Sequence, residues 1–426
     1  MQYAALGRHK LKAVTFICWA TRFALSATSA RAFSSSKTAF HNTKRNNNNK
    51  SKMALDATNS PDGSTVNLMD LAAACIACTV SASRTIMKIA DPDDDAGDKN
   101  TRTKNDGSFV TDADVAAQYI IVKALRTVSD KVHIIGEESQ EEMEQLKRDY
   151  DYLDSDVLLK TRQELYMRQK ETKSSNFPLG CEKVDPSIPV DIVFDDDSAV
   201  VEASRVTVIV DPLDGTKSYT QGDYDAVSIL IAIMLDNKPF FGVIGKPVGY
   251  TGHTPIFGTK CVTIYGGSLI DGVYVAGGEQ VVVKPIVSNE EGVITEDLPR
   301  AVISSSRSKG VVQDFCVHMG EKGLVYPHPL LISGAGEKSV RLILQQENEA
   351  IWFFPKPGTS VWDVAAPDAL LLPLGGKLTD KYGKEIDYSR HRDDFENIDG
   401  VVACIDAGLH AKCIELFQKG DWLDRL

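Results

Sequence analysis

The first 55 residues contain no aspartate or glutamate; the first acid in the chain is Asp56. The same stretch holds ten Lys or Arg and is rich in Ser, Ala and Asn. Its apolar run, residues 13–20, is far too short to cross a bilayer as a mature helix, which argues against a stable membrane association through this segment. A basic, hydroxyl-rich, acid-free leader has the composition of an organelle transit peptide, and the apolar run also fits the core of a signal peptide ahead of one. Residues 1–55 are therefore expected to be a targeting segment, disordered or removed, addressed to the mitochondrion or a plastid. A cytoplasmic protein with a basic tail is the alternative. Cysteine is sparse and scattered, eight in 426 residues, which excludes a disulfide scaffold and points to a reduced compartment. Cys75-Ile-Ala-Cys78 lacks the second pair that zinc needs and the βαβ context of a redox motif, so it reads as part of a core helix. An excess of positive charge is also missing. The net charge is −12, and past residue 55 the chain has 37 basic against 59 acidic residues. That excludes a general nucleic-acid binder, but not a small anionic substrate held by local cations.

What remains has ordinary globular composition and no internal repeat, with length for two or three domains. Apolar spacing predicts helices over 68–89 and 111–128, the second with Thr111 as N-cap. A strand is expected at 131–135, and a charged helical stretch over 140–173. The β-branched run 206–210 reads as a strand ending on Asp211. Residues 227–235 and 239–244 flank a hairpin turn at Asp236-Asn-Lys238. Beyond 300, strands at 301–304, 323–326 and 350–354 alternate with helices at 311–320, 337–348 and after Pro367. The fold class is α/β, with an α+β half over 56–298 and an α/β half over 299–426.

The most informative segment is Val210-Asp-Pro-Leu-Asp-Gly-Thr-Lys-Ser-Tyr-Thr220. A strand delivers Asp211 and Asp214 onto one turn, where Pro212 and Gly215 set unusual backbone angles. Two adjacent carboxylates repel unless a cation lies between them. Magnesium suits oxygen ligands and a shell completed by a substrate phosphate. Gly215, Thr216 and the next backbone N–H groups would open a helix toward that phosphate. Alone, the fragment is equally a turn followed by an N-cap. It is similar to the Asp-x-Asp-Gly-Thr signature of haloacid-dehalogenase-type phosphatases, but two residues separate the acids here, not one. Glu137, just past a strand end, and Asp363, near a helix start, are two further candidate acids. The acidic runs Asp93-Asp-Asp95 and Asp195-Asp-Asp197 read as solvated loops.

Together, Ile134-Ile-Gly-Glu-Glu-Ser139, Asp211-Pro-Leu-Asp-Gly-Thr216 and Trp362-Asp363 resemble, in order and content, the inositol monophosphatase superfamily of magnesium-dependent, lithium-sensitive phosphatases. The resemblance runs from about residue 66 to 408. Gly334-Ala-Gly-Glu-Lys338, Trp362-Asp-Val-Ala-Ala-Pro-Asp368 and Gly375-Gly-Lys-Leu-Thr-Asp380 look most like the 3′(2′),5′-bisphosphate nucleotidases within it. The resemblance implies a layered αβαβα sandwich binding two or three Mg2+ ions. Its metal ligands would be Glu137, Asp211, the Leu213 carbonyl, Asp214 and Asp363. Asp114, in Val110-Thr-Asp-Ala-Asp114, would act with Thr216 to orient and deprotonate the attacking water; it also fits a capping-box position. Substrate contacts would come from Gly215, Thr216, Ser306, Lys309, Gly334, Lys338 and Asp363. Many relatives have His where this chain has Lys309.

The activity so implied is removal of the 3′-phosphate of 3′-phosphoadenosine 5′-phosphate to give AMP, with 3′-phosphoadenylyl sulfate as a further substrate. The expected partner is a small phosphorylated nucleotide. The rival readings are an inositol polyphosphate 1-phosphatase or inositol monophosphatase, a non-catalytic nucleotide or metal sensor, and a phosphatase using an aspartyl-phosphate intermediate.

Overall fold

In the computed structural model, which describes residues 64–91, 101–104, 109–146, 149–173, 199–249, 261–278, 280–392 and 394–426, the chain enters through β1 (Thr65–Asn67) and α1 (Leu68–Ala90). The proposed targeting segment 1–55 and both acidic runs lie outside the described residues. Asn67 caps α1 by accepting from the N–H groups of Met69 and Asp70. The expected core helix is therefore present, with Cys75 and Cys78 fully buried on it. β2 (Arg102–Thr103) and β3 (Phe109–Val110) pair antiparallel ahead of α2 (Asp112–Val128). β4 (His133–Gly136) follows. The charged stretch expected as one helical segment is two helices, α3 (Gln140–Glu144) and α4 (Ser155–Lys173).

β5 (Val200–Glu202), which pairs with β1, leads to β6 (Val206–Asp214) and the short α5 (Thr216–Thr220). β7 (Ser228–Leu235) and β8 (Lys238–Lys246) form the expected hairpin, with Asp236 and Asn237 both left-handed at φ 53° and 61°. That double positive φ matches the right-handed twist of the flanking strands. β9 (Val262–Gly267) and β10 (Gly272–Val275) complete the first sheet. The second part alternates β11 (Arg300–Ser304), α6 (Val311–Glu321), β12 (Tyr326–Ile332), α7 (Ala335–Leu344), β13 (Glu349–Phe354) and α8 (Val361–Leu371). It ends with β14 (Lys377–Thr379), β15 (Val401–Cys404) and α9 (Ala407–Lys419).

Two expectations need correction. The strand placed at 323–326 begins only at Tyr326 and runs to Ile332. Pro327 and Pro329 hide it from a pattern reading, yet β12 is an edge strand, where a missing N–H is tolerated. The helix placed after Pro367 begins at Val361 and contains that proline. Its N-terminus is set by a capping box, in which the Ser360 N–H donates to the Asp363 side chain.

The first sheet has the order β10-β9-β8-β7-β6-β4, antiparallel except for the β4–β6 pair. The second has the order β12-β11-β13-β15-β14, with β12 and β13 both parallel to β11. Alternation along β6 decides the layering. Val206, Val208 and Val210 join the core under α1 and α2, whereas Ile209 joins the core shared with α7, α8 and the second sheet. α6 and α9 cover the far face of the second sheet, burying Phe315 and Phe417. The result is a five-layer αβαβα sandwich, and Ala54–Leu426 forms one compact unit.

Candidate active site

β4 and β6 run parallel, and their pairing ends with Gly136 opposite Val210 and the Glu137 N–H on the Val210 carbonyl at 3.2 Å. This register sets Glu137 beside Asp211, within hydrogen-bonding reach of it. β6 keeps its pairing with β7 through Asp211–Leu230, loses register, and regains it at Asp214–Ser228. Pro212 has no N–H to give the ladder, and the Leu213 N–H turns instead to Asp211 Oδ1 at 3.1 Å. The irregularity brings both aspartates to one side. Gly215 then turns the chain into α5 at φ 87°, where a Cβ would stand 2.9 Å from the Ala226 carbonyl.

Asp214 is held by the neighbouring strand β7 and by α7. Ser228 Oγ donates to Oδ2 at 2.9 Å, the Ala335 N–H to Oδ1 at 3.0 Å and the Gly336 N–H to Oδ2 at 2.7 Å. The Gly-rich start of α7 thus turns its N–H groups on the chain's own Asp214. Gly334 is required here: it sits at φ 75°, and a Cβ would meet the Ala226 carbonyl at 2.5 Å and Asp214 Oδ2 at 2.9 Å. α8 supplies Asp363 from its first turn. One ligand atom each of Asp211, Asp214 and Asp363 lies within 4.8 Å of the others.

These acids are costly to ionise together without a counter-charge. Burial, then the charges of Glu137, Asp214 and Asp363, push Asp211 well above the usual carboxylate range. Enclosure in the site and the neighbouring Asp214 charge push Asp363 up to about 8. Burial raises Glu137 as well, opposed by Lys104, whose Nζ stands 3.4 Å from Glu137 and 2.9 Å from Glu138.

Beside the cluster, Thr216 Oγ1 lies 2.9 Å from Asp114 Oδ1 and 3.1 Å from the Leu213 carbonyl, so its one proton can go to either. Asp114 also closes the capping box of α2, accepting from the Thr111 N–H at 2.7 Å and from the Thr111 hydroxyl. Both roles weighed for it from sequence are thus geometrically open at once. Burial pushes its carboxyl up to about 6, against the three hydrogen bonds it accepts.

The residues expected to touch substrate divide. Lys338 is buried, donates to the Gly334 carbonyl at 2.5 Å and lies 5.2 Å from the Trp352 ring centre. Burial lowers its pKa, while Asp214 and Asp363 oppose that shift. Ser306 is exposed on the loop after β11, 3.3 Å from the Ser304 hydroxyl, and Lys309 is exposed just ahead of α6. Sequence reasoning passed over Arg307 between them, which lies near enough to act electrostatically on Lys338. It also passed over Lys104, Ser228 and Lys246. Ser228 carries no local signal, because only the β6–β7 register puts it on Asp214.

The cluster offers only oxygen ligands, beside a Thr–Asp pair and where β4 and β6 stop pairing, and such a donor set could hold a hard divalent cation. A model of the inositol monophosphatase family matches residues 67–420, and the chain belongs to that family of phosphatases. The 3′(2′),5′-bisphosphate nucleotidase 1 of Dictyostelium discoideum is 26% identical over 378 residues, covering 83% of this chain and 98% of that protein. The human protein of the same name is 34% identical over 209 residues, which span 49% of this chain and 60% of the relative. Among solved structures, a Thermotoga maritima IMPase is 17% identical, with a TM-score of 0.49, over 82% of this chain and 96% of that one.

Proposed function

We propose that the chain is a magnesium-dependent 3′(2′),5′-bisphosphate nucleotidase, hydrolysing 3′-phosphoadenosine 5′-phosphate to AMP and phosphate. The observation that carries the reading is the convergence of Asp211, Asp214 and Asp363, with Glu137 adjoining, next to Thr216–Asp114. The donor set fits Mg2+: every side chain in it offers oxygen, and the raised carboxyl pKa values mark negative charge that lacks compensation. Glu137, Asp211, Asp214, Asp363 and the Leu213 carbonyl would hold two or three ions. When bound, such ions lower the pKa of a coordinated water and neutralise the leaving alkoxide.

The chain's own groups do the rest. Thr216 can accept a hydrogen bond from the attacking water while donating its own proton to Asp114. Asp114, with a carboxyl raised toward neutrality, is the proton acceptor that a hydroxyl alone cannot be. Water oxygen bonds to phosphorus, the ester oxygen leaves with a proton as the ribose hydroxyl, and no covalent enzyme intermediate is required. Lys338, Arg307 and Lys309 supply cations for the second phosphate, with Ser306, Gly334 and the α5 start completing the substrate side. 3′-Phosphoadenylyl sulfate shares these groups and is a second substrate. The cellular role is clearance of a by-product of sulfate-group transfer, in the organelle addressed by residues 1–55.

Similarity to the Dictyostelium protein over nearly its whole length supports the nucleotide reading. The family model, and 27% identity to the inositol monophosphatase 3 of Danio rerio, keep inositol phosphates as the second reading. Phosphate release from the bisphosphate nucleotide, inositol 1-phosphate and inositol 1,4-bisphosphate, with and without Mg2+ and Li+, tests both. The nucleotide should give the highest kcat/KM and require Mg2+. A preference for inositol phosphates would replace the reading, and metal-independent release would remove its mechanism.

A further inference from the structure

Beside β4, the edge strand of the first sheet, lies a cavity of about 720 Å3 walled by α2, α3, Arg390 and Phe395. None of Glu137, Asp211, Asp214 and Asp363 lines it. Two guanidinium groups do, and both are bonded only to neutral partners among the described residues. Arg126 donates to the carbonyls of Asp130 at 3.0 Å and Val132 at 2.7 Å; Arg390 donates to the Ser204 carbonyl. His133 lines the same cavity. Burial lowers its pKa first, and the charges of Arg390 and Arg126 come next. The other charged groups of the wall are balanced or peripheral: Lys123 pairs with Asp149 at 2.6 Å, Glu138 with Lys104, and Glu144 is exposed at the rim.

In a chain of net charge −12, two arginines that line one cavity and have no carboxylate partner among the described residues create a local field that an anion would neutralise. The remaining wall includes the rings of Tyr119 and Phe395. A cavity of this size that sets aromatic and aliphatic side chains beside convergent charged groups has the character of a small-molecule site. We propose that it is a second ligand site, which takes a small aromatic compound bearing a phosphate- or sulfate-type oxyanion. The oxyanion is held by Arg126 and Arg390, with the ring against Tyr119 and Phe395. The site abuts the catalytic side without entering it. Gln118 lines the cavity, accepts from the Glu138 N–H at 3.0 Å and donates to the Glu138 carbonyl, and packs so close to Gly136 that a Cβ there would stand 2.5 Å from it. An occupant therefore leans on the segment that carries Glu137.

Calorimetric titration of the full chain with 4-nitrophenyl sulfate, an aryl sulfate with no phosphate to release, tests the site. One equivalent should bind. Replacing both arginines, Arg126→Ala with Arg390→Ala, should weaken binding about tenfold or more, as loss of charge-assisted bonds requires. Asp214→Asn should leave it within about twofold, since that acid is elsewhere. If the double variant does not fold, Arg390→Gln alone carries the same comparison. Absence of binding, binding that survives the arginine changes, or binding lost with Asp214→Asn would each overturn the proposal. The titration reads binding alone, so its outcome is independent of whether the proposed activity is found.

Discussion

At the scale of single residues, Asp214 is held by two separate elements, β7 and α7. Its two oxygens take three donors, one from a serine side chain and two from the backbone of α7. Asp214→Asn must turn an amide NH2 toward one of them, leaving a buried donor unmatched at about 1–3 kcal/mol. The expected outcome is a folded protein by circular dichroism whose kcat/KM falls about 100-fold or more, because the proposed cation ligand is lost with the charge. Near-normal rates at saturating Mg2+ would contradict the proposed role. Lys338→Met keeps the volume beside Trp352 and removes the ammonium. Steady-state kinetics on the bisphosphate nucleotide should show KM up about tenfold and kcat changed less than about threefold, as expected for a contact made equally in ground and transition states. The acids were legible in the sequence because each sits in a motif with its own punctuation: Gly136 before Glu137, Pro212 and Gly215 around the aspartates. Their helpers were not. Ser228, Lys104 and Arg307 act across strands and loops, and single-chain spacing carries no record of such pairings.

At the scale of elements, the site depends on how α7 is fixed. Lys246, fully buried at the end of β8, pairs with Glu337 at 2.8 Å and donates to the Asp225 carbonyl. Glu337 also takes Arg341 at 3.0 Å. One ammonium thus ties the first turn of α7 to the loop whose next carbonyl, that of Ala226, packs on Gly215 and Gly334. Lys246→Met retains the bulk and cuts both ties. Urea unfolding should show a loss of about 1–3 kcal/mol, and kcat should fall with little change in KM, because the helix start that orients Asp214 is loosened. Unaltered kcat would mean that α7 is held by its apolar face alone. The elements around this helix show what a pattern reading can reach. α1, α2 and the β7–β8 hairpin stand out through caps, apolar spacing and turn residues. β12, with Pro327 and Pro329, and α8, with Pro367 inside it, are masked by prolines that tertiary position makes tolerable. β14 and β15 are too short to show a period, and α9 follows a long irregular stretch that hides its start.

At the scale of the whole molecule, the layering puts α8 between two sheets and so buries a carboxylate that no catalytic step needs. Asp368 on that helix accepts from the Tyr388 hydroxyl at 2.9 Å, and burial pushes its carboxyl from 3.8 up to about 7 despite that bond. Below pH 4 the folded and unfolded chains both hold this proton, and the burial carries no ionic penalty. As pH rises toward 7 the unfolded chain releases the proton while the folded chain keeps it, so this group's contribution to stability is lost across that interval. His410, buried at 3% exposure and lowered to about 4, acts in the opposite sense: the unfolded chain binds its proton first as pH falls below 6.5, so stability drops on acidification. The two slopes oppose each other between pH 4 and 6.5, and the wild-type curve alone hides both. Asp368→Asn separates them, because the amide keeps an acceptor for Tyr388 and cannot ionise. Measured by urea unfolding, the variant should gain on the wild type steadily from pH 4 to 7, by at most about 4 kcal/mol at about 1.4 kcal/mol per pH unit. Parallel curves over that range would show that the folded protein ionises Asp368 at no cost, and that the layer between the sheets is wetter than its packing implies.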